Sequence, residues 1–169
     1  ADRMMEVFEY THRRYGVTTF VIDSLLKAGI ADDDYAGQKA FVERLCDFKN
    51  DFGLTIFLVT HSRKGADEYQ RTGKMDVRGA GAISDLADSL LTIWRNKKKE
   101  SEKGRALAMH EDMDPDLKAA PDAILYCDKQ RNGSWELQCT LWWHMSANQF
   151  IQNDRQEAEI YSQMRVVGQ

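Results

Sequence analysis

Apolar residues recur in two rhythms along this chain, and the changes of rhythm mark its elements. Met4, Met5, Phe8 and His12 share one face of a helix predicted over residues 3 to 15, and Gly16 is placed to end it in the left-handed conformation. VTTFVID (17–23) is short, β-branched and mostly apolar, the pattern of a strand buried on both faces. ADDDYAG (31–37) reads as an acidic loop. A second helix is expected over about 37–52, where Phe41, Leu45, Phe48 and Phe52 form one stripe, with Gly53 as its C-cap. LTIFLV (54–59) reads as a second buried strand.

Beyond it, THSRKGADEYQRTGKMDVRGAGA (60–82) is polar, glycine-bearing and too long for an ordinary connection. SDLADS (84–89) reads as a short helix capped by Ser84, LLTIW (90–94) as a third strand, and NKKKESEKGR (96–105) as a solvated, charged loop. AILYC (123–127) is a fourth strand. WELQCTLWW (135–143) alternates as a fifth, with Trp135, Leu137, Cys139, Leu141 and Trp143 on one face, and NQFIQ (148–152) is placed to pair with it. Asn132-Gly133, between the fourth and fifth, is the signal of a two-residue hairpin turn. The polar stretch from Asp154 is expected to fray or to form a terminal helix. The order predicts an α/β fold with a mainly parallel central sheet, flanking helices and an antiparallel hairpin at its C-terminal edge.

Composition narrows this picture. A chain of 169 residues, 43% apolar and 30% charged, suits one soluble domain with a sizeable core. A net charge of −4 provides no global field for nucleic acid, so any such contact must come from local Lys and Arg. Cys46, Cys127 and Cys139 lack metal or redox spacing and fit a reducing compartment. No apolar run approaches the roughly 18 residues that span a bilayer, and no signal peptide is expected.

In open α/β sheets, function gathers at the carboxyl ends of the strands. Asp23 ends FVID, where a carboxylate can hold Mg²⁺ on nucleotide phosphates; Asp at a strand end also starts turns. His61 ends FLVTH, where a polar group can sense the γ-phosphate or bond a nearby backbone group. The loop carries Arg63, Lys64, Arg71, Lys74 and Arg78 and ends in RGAGA. Such a loop suits sequence-blind contact with a nucleic-acid backbone, or is a surface loop whose cations balance Asp67, Glu68 and Asp76. Lys129 and Arg131 alternate around Gln130, so they point the same way.

The series FVID, FLVTH, DVRGAGAISDLADSLLTIWRN and then YCDKQRNG resembles the motor domain of hexameric replicative DNA helicases, the DnaB-like family with its phage primase-helicase and Twinkle relatives. The resemblance covers roughly residues 5–152 and implies a partial RecA-like ATPase domain over 1–152, truncated on its N-terminal side, with 153–169 as a tail. It implies ATP and Mg²⁺ as ligands, Asp23 as the Walker B aspartate and metal-side residue, and His61 as the phosphate sensor. Lys129 and Arg131 match the pair that enters the neighbouring subunit's ATP site, Arg131 being the arginine finger. Arg63, Lys64, Lys74, Arg78, Gly79 and Gly81 belong to the matching channel loop, which grips single-stranded DNA. The implied assembly is a homohexamer in the cytoplasm of a bacterial or phage-infected cell, with a primase or helicase loader as a further partner.

The sequence departs from that family in one respect. GxxxxGK[ST] and the catalytic glutamate that precede FVID in the family do not occur; GRAL (104–107) and GQKA (37–40) do not qualify. The chain opens at Ala1 directly in a helical pattern, and it is expected to be the C-terminal part of a longer motor, inactive by itself. A non-helicase RecA-fold ATPase, or a non-catalytic DNA-binding or interaction module on the same fold, is the alternative. His110, Glu111, Asp112 and Asp114 read as a solvated loop rather than a metal site, because no second His stands at ligand spacing. Trp142 lies on the face opposite Trp135 and Trp143, so at least two of the three are expected in the core.

Overall fold

The computed structural model describes residues 1–31, 33–61, 80–153 and 157–158. The segment 62–79 and nearly all of the stretch from Asp154 lie outside the described residues. The chain is mixed α/β and divides into two compact units. One comprises residues 1–92 and 127–136, the other residues 93–126 and 137 onward.

In the first unit, helix α1 (Asp2–Tyr15) leads to strand β1 (Thr19–Asp23), a 3₁₀ turn (Leu25–Ala28), helix α2 (Tyr35–Phe52) and strand β2 (Thr55–Val59). Gly16 and Gly53 end the two helices with φ of 68° and 63°, each donating its N–H back to a carbonyl of the last turn, as their positions predict. Asp34 starts α2, its side chain accepting from the Gly37 N–H at 2.8 Å. The α2 stripe does what its spacing implies: Phe41, Leu45 and Phe48 are buried against Phe20, Ile22 and Leu54 of the sheet side. Met4, Met5 and Phe8 of α1 pack against the same residues, with the Phe8 and Phe20 rings stacked 4.4 Å apart.

β1 and β2 pair in parallel, from Thr19 opposite Thr55 to Asp23 opposite Val59. They are not buried on both faces, contrary to the reading of their apolar runs. α1 and α2 both cover the face that carries Phe20 and Ile22, and nothing among the described residues covers the other. Val21 is therefore 64% exposed and Phe57 51%. Nor do all strands share one central sheet. β1 and β2 form a two-stranded sheet, and the later strands form a separate four-stranded one ordered β3-β4-β5-β6.

Helix α3 (Ala80–Leu86) precedes strand β3 (Ser89–Arg95). Ser84 lies inside α3 and does not cap it. β4 (Ala123–Gln130) runs three residues past the predicted AILYC and so includes Lys129. Arg131 N donates to Asp88 O at 2.7 Å and Asn96 N to Asp122 O at 2.9 Å, which frames β3 and β4 as antiparallel. β5 (Gln138–His144) pairs antiparallel with β4 from Ala123–Leu141 to Tyr126–Gln138, and β6 (Gln149–Ile151) pairs antiparallel with β5, as NQFIQ predicts.

Asn132-Gly133 does not make the two-residue turn. Positive φ among the described residues is confined to Gly16, Gly29, Gly53, His110 and Asn148. The Glu136 carboxylate accepts the Gln130 N–H at 3.2 Å, so a side chain replaces the next rung and the strands part into a longer loop. Trp135 and Leu137 fall in that loop. Trp135 is 44% exposed and Trp143 40%, so the expectation of at least two core tryptophans among the three is not met. Trp142 is the half-buried one, its indole N–H donating to Ala119 O at 3.4 Å.

The charged run 96–105 is helix, not loop. α4 (Lys97–Met109) is built from Lys, Glu, Arg and Ala, which favour helix without an apolar stripe. Asn96 caps it, Oδ1 accepting from Lys99 N at 3.0 Å while Nδ2 donates to Pro121 O at 3.1 Å. Lys99 Nζ reaches Ala120 O at 2.6 Å and Asp122 at 3.0 Å, and Asp122 accepts the Trp143 N–H at 2.8 Å. Asn96→Ala removes the cap and orphans Pro121 O. It is expected to cost about 1–2 kcal/mol and to speed amide exchange at the start of α4. Unaltered exchange there would refute the cap.

Candidate functional site

The parallel pairing of β1 with β2 brings two candidate groups to one sheet edge. Asp23 is the last residue of β1 and lies opposite Val59, the last residue of β2; His61 follows two residues on. Alternation along β1 buries Phe20 and Ile22 and turns Asp23 outward, onto the exposed face with Val21. His61 is exposed as well. Among the described residues no three His, Cys, Asp or Glu side chains gather to hold a metal ion. A lone exposed carboxylate therefore does not fit a metal held by protein alone. It does fit Mg²⁺ held by one carboxylate, water and substrate phosphates.

Lys129 and Arg131 point the same way, as their spacing requires, and what they meet is the carboxyl end of α3. Lys129 Nζ donates to Ser84 O at 2.9 Å and to Asp85 O at 2.8 Å. Arg131 donates from one Nη to Asp85 O at 2.9 Å and from the other to Asp88 Oδ1 at 3.0 Å. The Cys46 thiol, whose pKa burial pushes up, faces Leu86 O at 3.9 Å. Helix ends leave carbonyls without intrahelical partners and carry partial negative charge, so two cations there are stabilising. No hydrogen bond or ion pair among the described residues joins Lys129 or Arg131 to Asp23 or His61.

Asp88 was not singled out from the sequence, yet it organises this corner. Oδ2 accepts from Lys49 Nζ of α2 at 2.6 Å and Oδ1 from Arg131 at 3.0 Å. Its partners stand 39 and 43 positions away in the chain, too far for any local spacing rule to find. On β3 and β4, Thr92 Oγ1 donates to Asp128 Oδ2 at 2.5 Å.

The Lys49 hydrogen bond, then the Lys49, Arg131 and Lys129 charges, hold the Asp88 carboxyl below the usual aspartate range, against the opposing effect of burial. The folded state thus binds this proton more weakly than the unfolded chain. The stabilisation is full above about pH 4 and is lost as pH falls through the lower folded value. The stability gap between wild type and Asp88→Asn is expected to stay constant above about pH 5 and to narrow as pH falls below about 4 in urea unfolding. A gap that stays constant down to about pH 3 would refute the coupling.

Gly81 lies in the first turn of α3, is exposed, and has open space where a Cβ would stand. A helical glycine costs about 1 kcal/mol relative to alanine, and nothing described in the chain requires one here. Arg63, Lys64, Lys74, Arg78 and Gly79 lie outside the described residues. The MHEDMD stretch serves helix ends: His110 closes α4 at φ 55°, Glu111 pairs with Arg105, and Asp114 caps helix α5 (Pro115–Ala119).

A scan against protein-family models and a search of curated proteins return no match for this chain. Among the described residues no helix is long and apolar enough to cross a membrane.

Proposed function

We propose that this chain is part of a RecA-like motor, an ATP-dependent DNA helicase of the DnaB-like type that moves along single-stranded DNA as a ring. The observation that carries the reading is the side-by-side delivery of Asp23 and His61 at the carboxyl edge of a parallel strand pair. Asp23 would hold Mg²⁺ on the nucleotide, and His61 would sense the γ-phosphate at the head of the basic loop. Lys129 and Arg131 would serve the neighbouring subunit's nucleotide, which agrees with their having no bond to Asp23 or His61 in their own chain. Gly81, without a steric reason among the described residues, suits close approach of a nucleic-acid backbone. No phosphate-binding loop occurs in the 169 residues, so the β- and γ-phosphates would be cradled by sequence outside them. That same absence favours a second reading, a non-catalytic DNA-binding module.

ATP binding and DNA-stimulated hydrolysis decide between them, measured on this chain and on the protein extended upstream. Activity in the extended form alone supports the motor; inertness of both leaves the binding module. In the active form, Arg78→Ala is expected to weaken single-stranded DNA binding, to lower the salt slope by about one, and to leave basal hydrolysis unchanged. Unchanged affinity across a salt series would count against the channel-loop reading.

A further inference from the structure

We propose that Asp88 is the positioning residue that aims Arg131. This rests on the reading of Arg131 as a cation for a neighbouring subunit's nucleotide, and it assigns the group that holds that cation ready. An unrestrained arginine samples many rotamers, so a side chain that must meet a phosphate in one geometry benefits from being fixed beforehand.

Here the guanidinium is held from behind. One Nη donates to Asp88 Oδ1 at 3.0 Å, the other to Asp85 O at 2.9 Å, and the Arg131 backbone N–H donates to Asp88 O at 2.7 Å. Asp88 thus grips both the backbone and the side chain of Arg131. Lys49 fixes Asp88 in turn, through Oδ2 at 2.6 Å, from the helix that carries the core residues Phe41, Leu45 and Phe48. Nε and the remaining Nη hydrogens of Arg131 meet no acceptor among the described residues, and the side chain is half exposed. The guanidinium is anchored along one edge and open along the other. That open edge is what a phosphate needs to take a pair of parallel N–H groups.

The test uses the protein that carries this chain together with a phosphate loop. ATP turnover on single-stranded DNA is measured for wild type, Arg131→Ala, Asp88→Asn, the double variant and Cys46→Ala. Asp88→Asn is expected to lower kcat about a hundredfold with KM for ATP unchanged, because misaiming affects the reaction and not ground-state binding. It should add nothing in the Arg131→Ala background. Cys46→Ala loosens the same helix end without touching Arg131 and should keep wild-type kcat. If Asp88→Asn does not fold, Asp88→Glu retains the charge and displaces the carboxylate by one methylene, with a partial loss of kcat expected. Wild-type turnover by the folded Asp88 variant, beside an inactive Arg131→Ala, overturns the role of Asp88 and leaves that of Arg131 standing. An equal loss in Cys46→Ala marks Asp88 as structural and overturns the proposal. Normal turnover by Arg131→Ala overturns both.

Discussion

Arg131→Ala is expected to lower DNA-stimulated ATP hydrolysis by about 10³- to 10⁵-fold in a protein that joins this chain to a phosphate loop. Nucleotide binding should largely survive. The finger acts on charge that spreads over the transferring phosphoryl group in the transition state, whereas ground-state affinity comes from the phosphate loop and Mg²⁺. The fold should survive too. Arg131 is 51% exposed and Asp88 keeps Lys49, so losing this ion pair costs about 0.2–1 kcal/mol. Lys129 still donates to Asp85 O, so that carbonyl is not orphaned. Single-turnover hydrolysis beside equilibrium binding of a non-hydrolysable analogue makes the comparison. Normal hydrolysis would refute the finger assignment.

The second large effect is on stability. Phe41→Ala is expected to destabilise the first unit by about 3–5 kcal/mol. Phe41 is 2% exposed and packs in one cluster with Ile22, Leu25, Val42, Leu45 and Ile83. Truncation removes a buried ring and leaves a cavity that a 3₁₀ turn and two helices cannot readily close. Set against a typical total of about 5–15 kcal/mol, this is enough to loosen the β1–β2 register that places Asp23. Phe57→Ser, on the exposed face of the same sheet, should change stability by no more than about 0.5 kcal/mol. Urea unfolding of the two variants provides the check. Equal losses would mean that the outer face of β1–β2 is covered.

Local elements were legible where one face is apolar at a regular spacing. The Phe41, Leu45, Phe48 stripe, the Gly16 and Gly53 caps, and the β1 and β2 runs were read within a few residues of their bounds. Periodicity is a poor guide where a helix carries no stripe, and α4, which buries only Lys99 and Ala106, is such a helix. It also gave too much credit to alternation in WELQCTLWW, where the Glu136 side chain ends the pairing early. Of the candidate residues, Asp23 and His61 were legible because a strand end is a local feature. Lys129 and Arg131 were legible as a pair pointing one way, and their partners were not.

By itself, then, the sequence determined helix and strand rhythm, capping glycines, a carboxylate at the end of β1, and a series of motifs that resembles one family. These depend on neighbours along the chain, where backbone sterics and side-chain period act. Tertiary structure alone decided that the strands divide between two sheets and that one face of β1–β2 stays exposed. It also decided that Lys49, Asp88, Lys129 and Arg131 meet at the end of α3. Those outcomes depend on which residues fold together from some forty positions apart, and no spacing along a single chain encodes that.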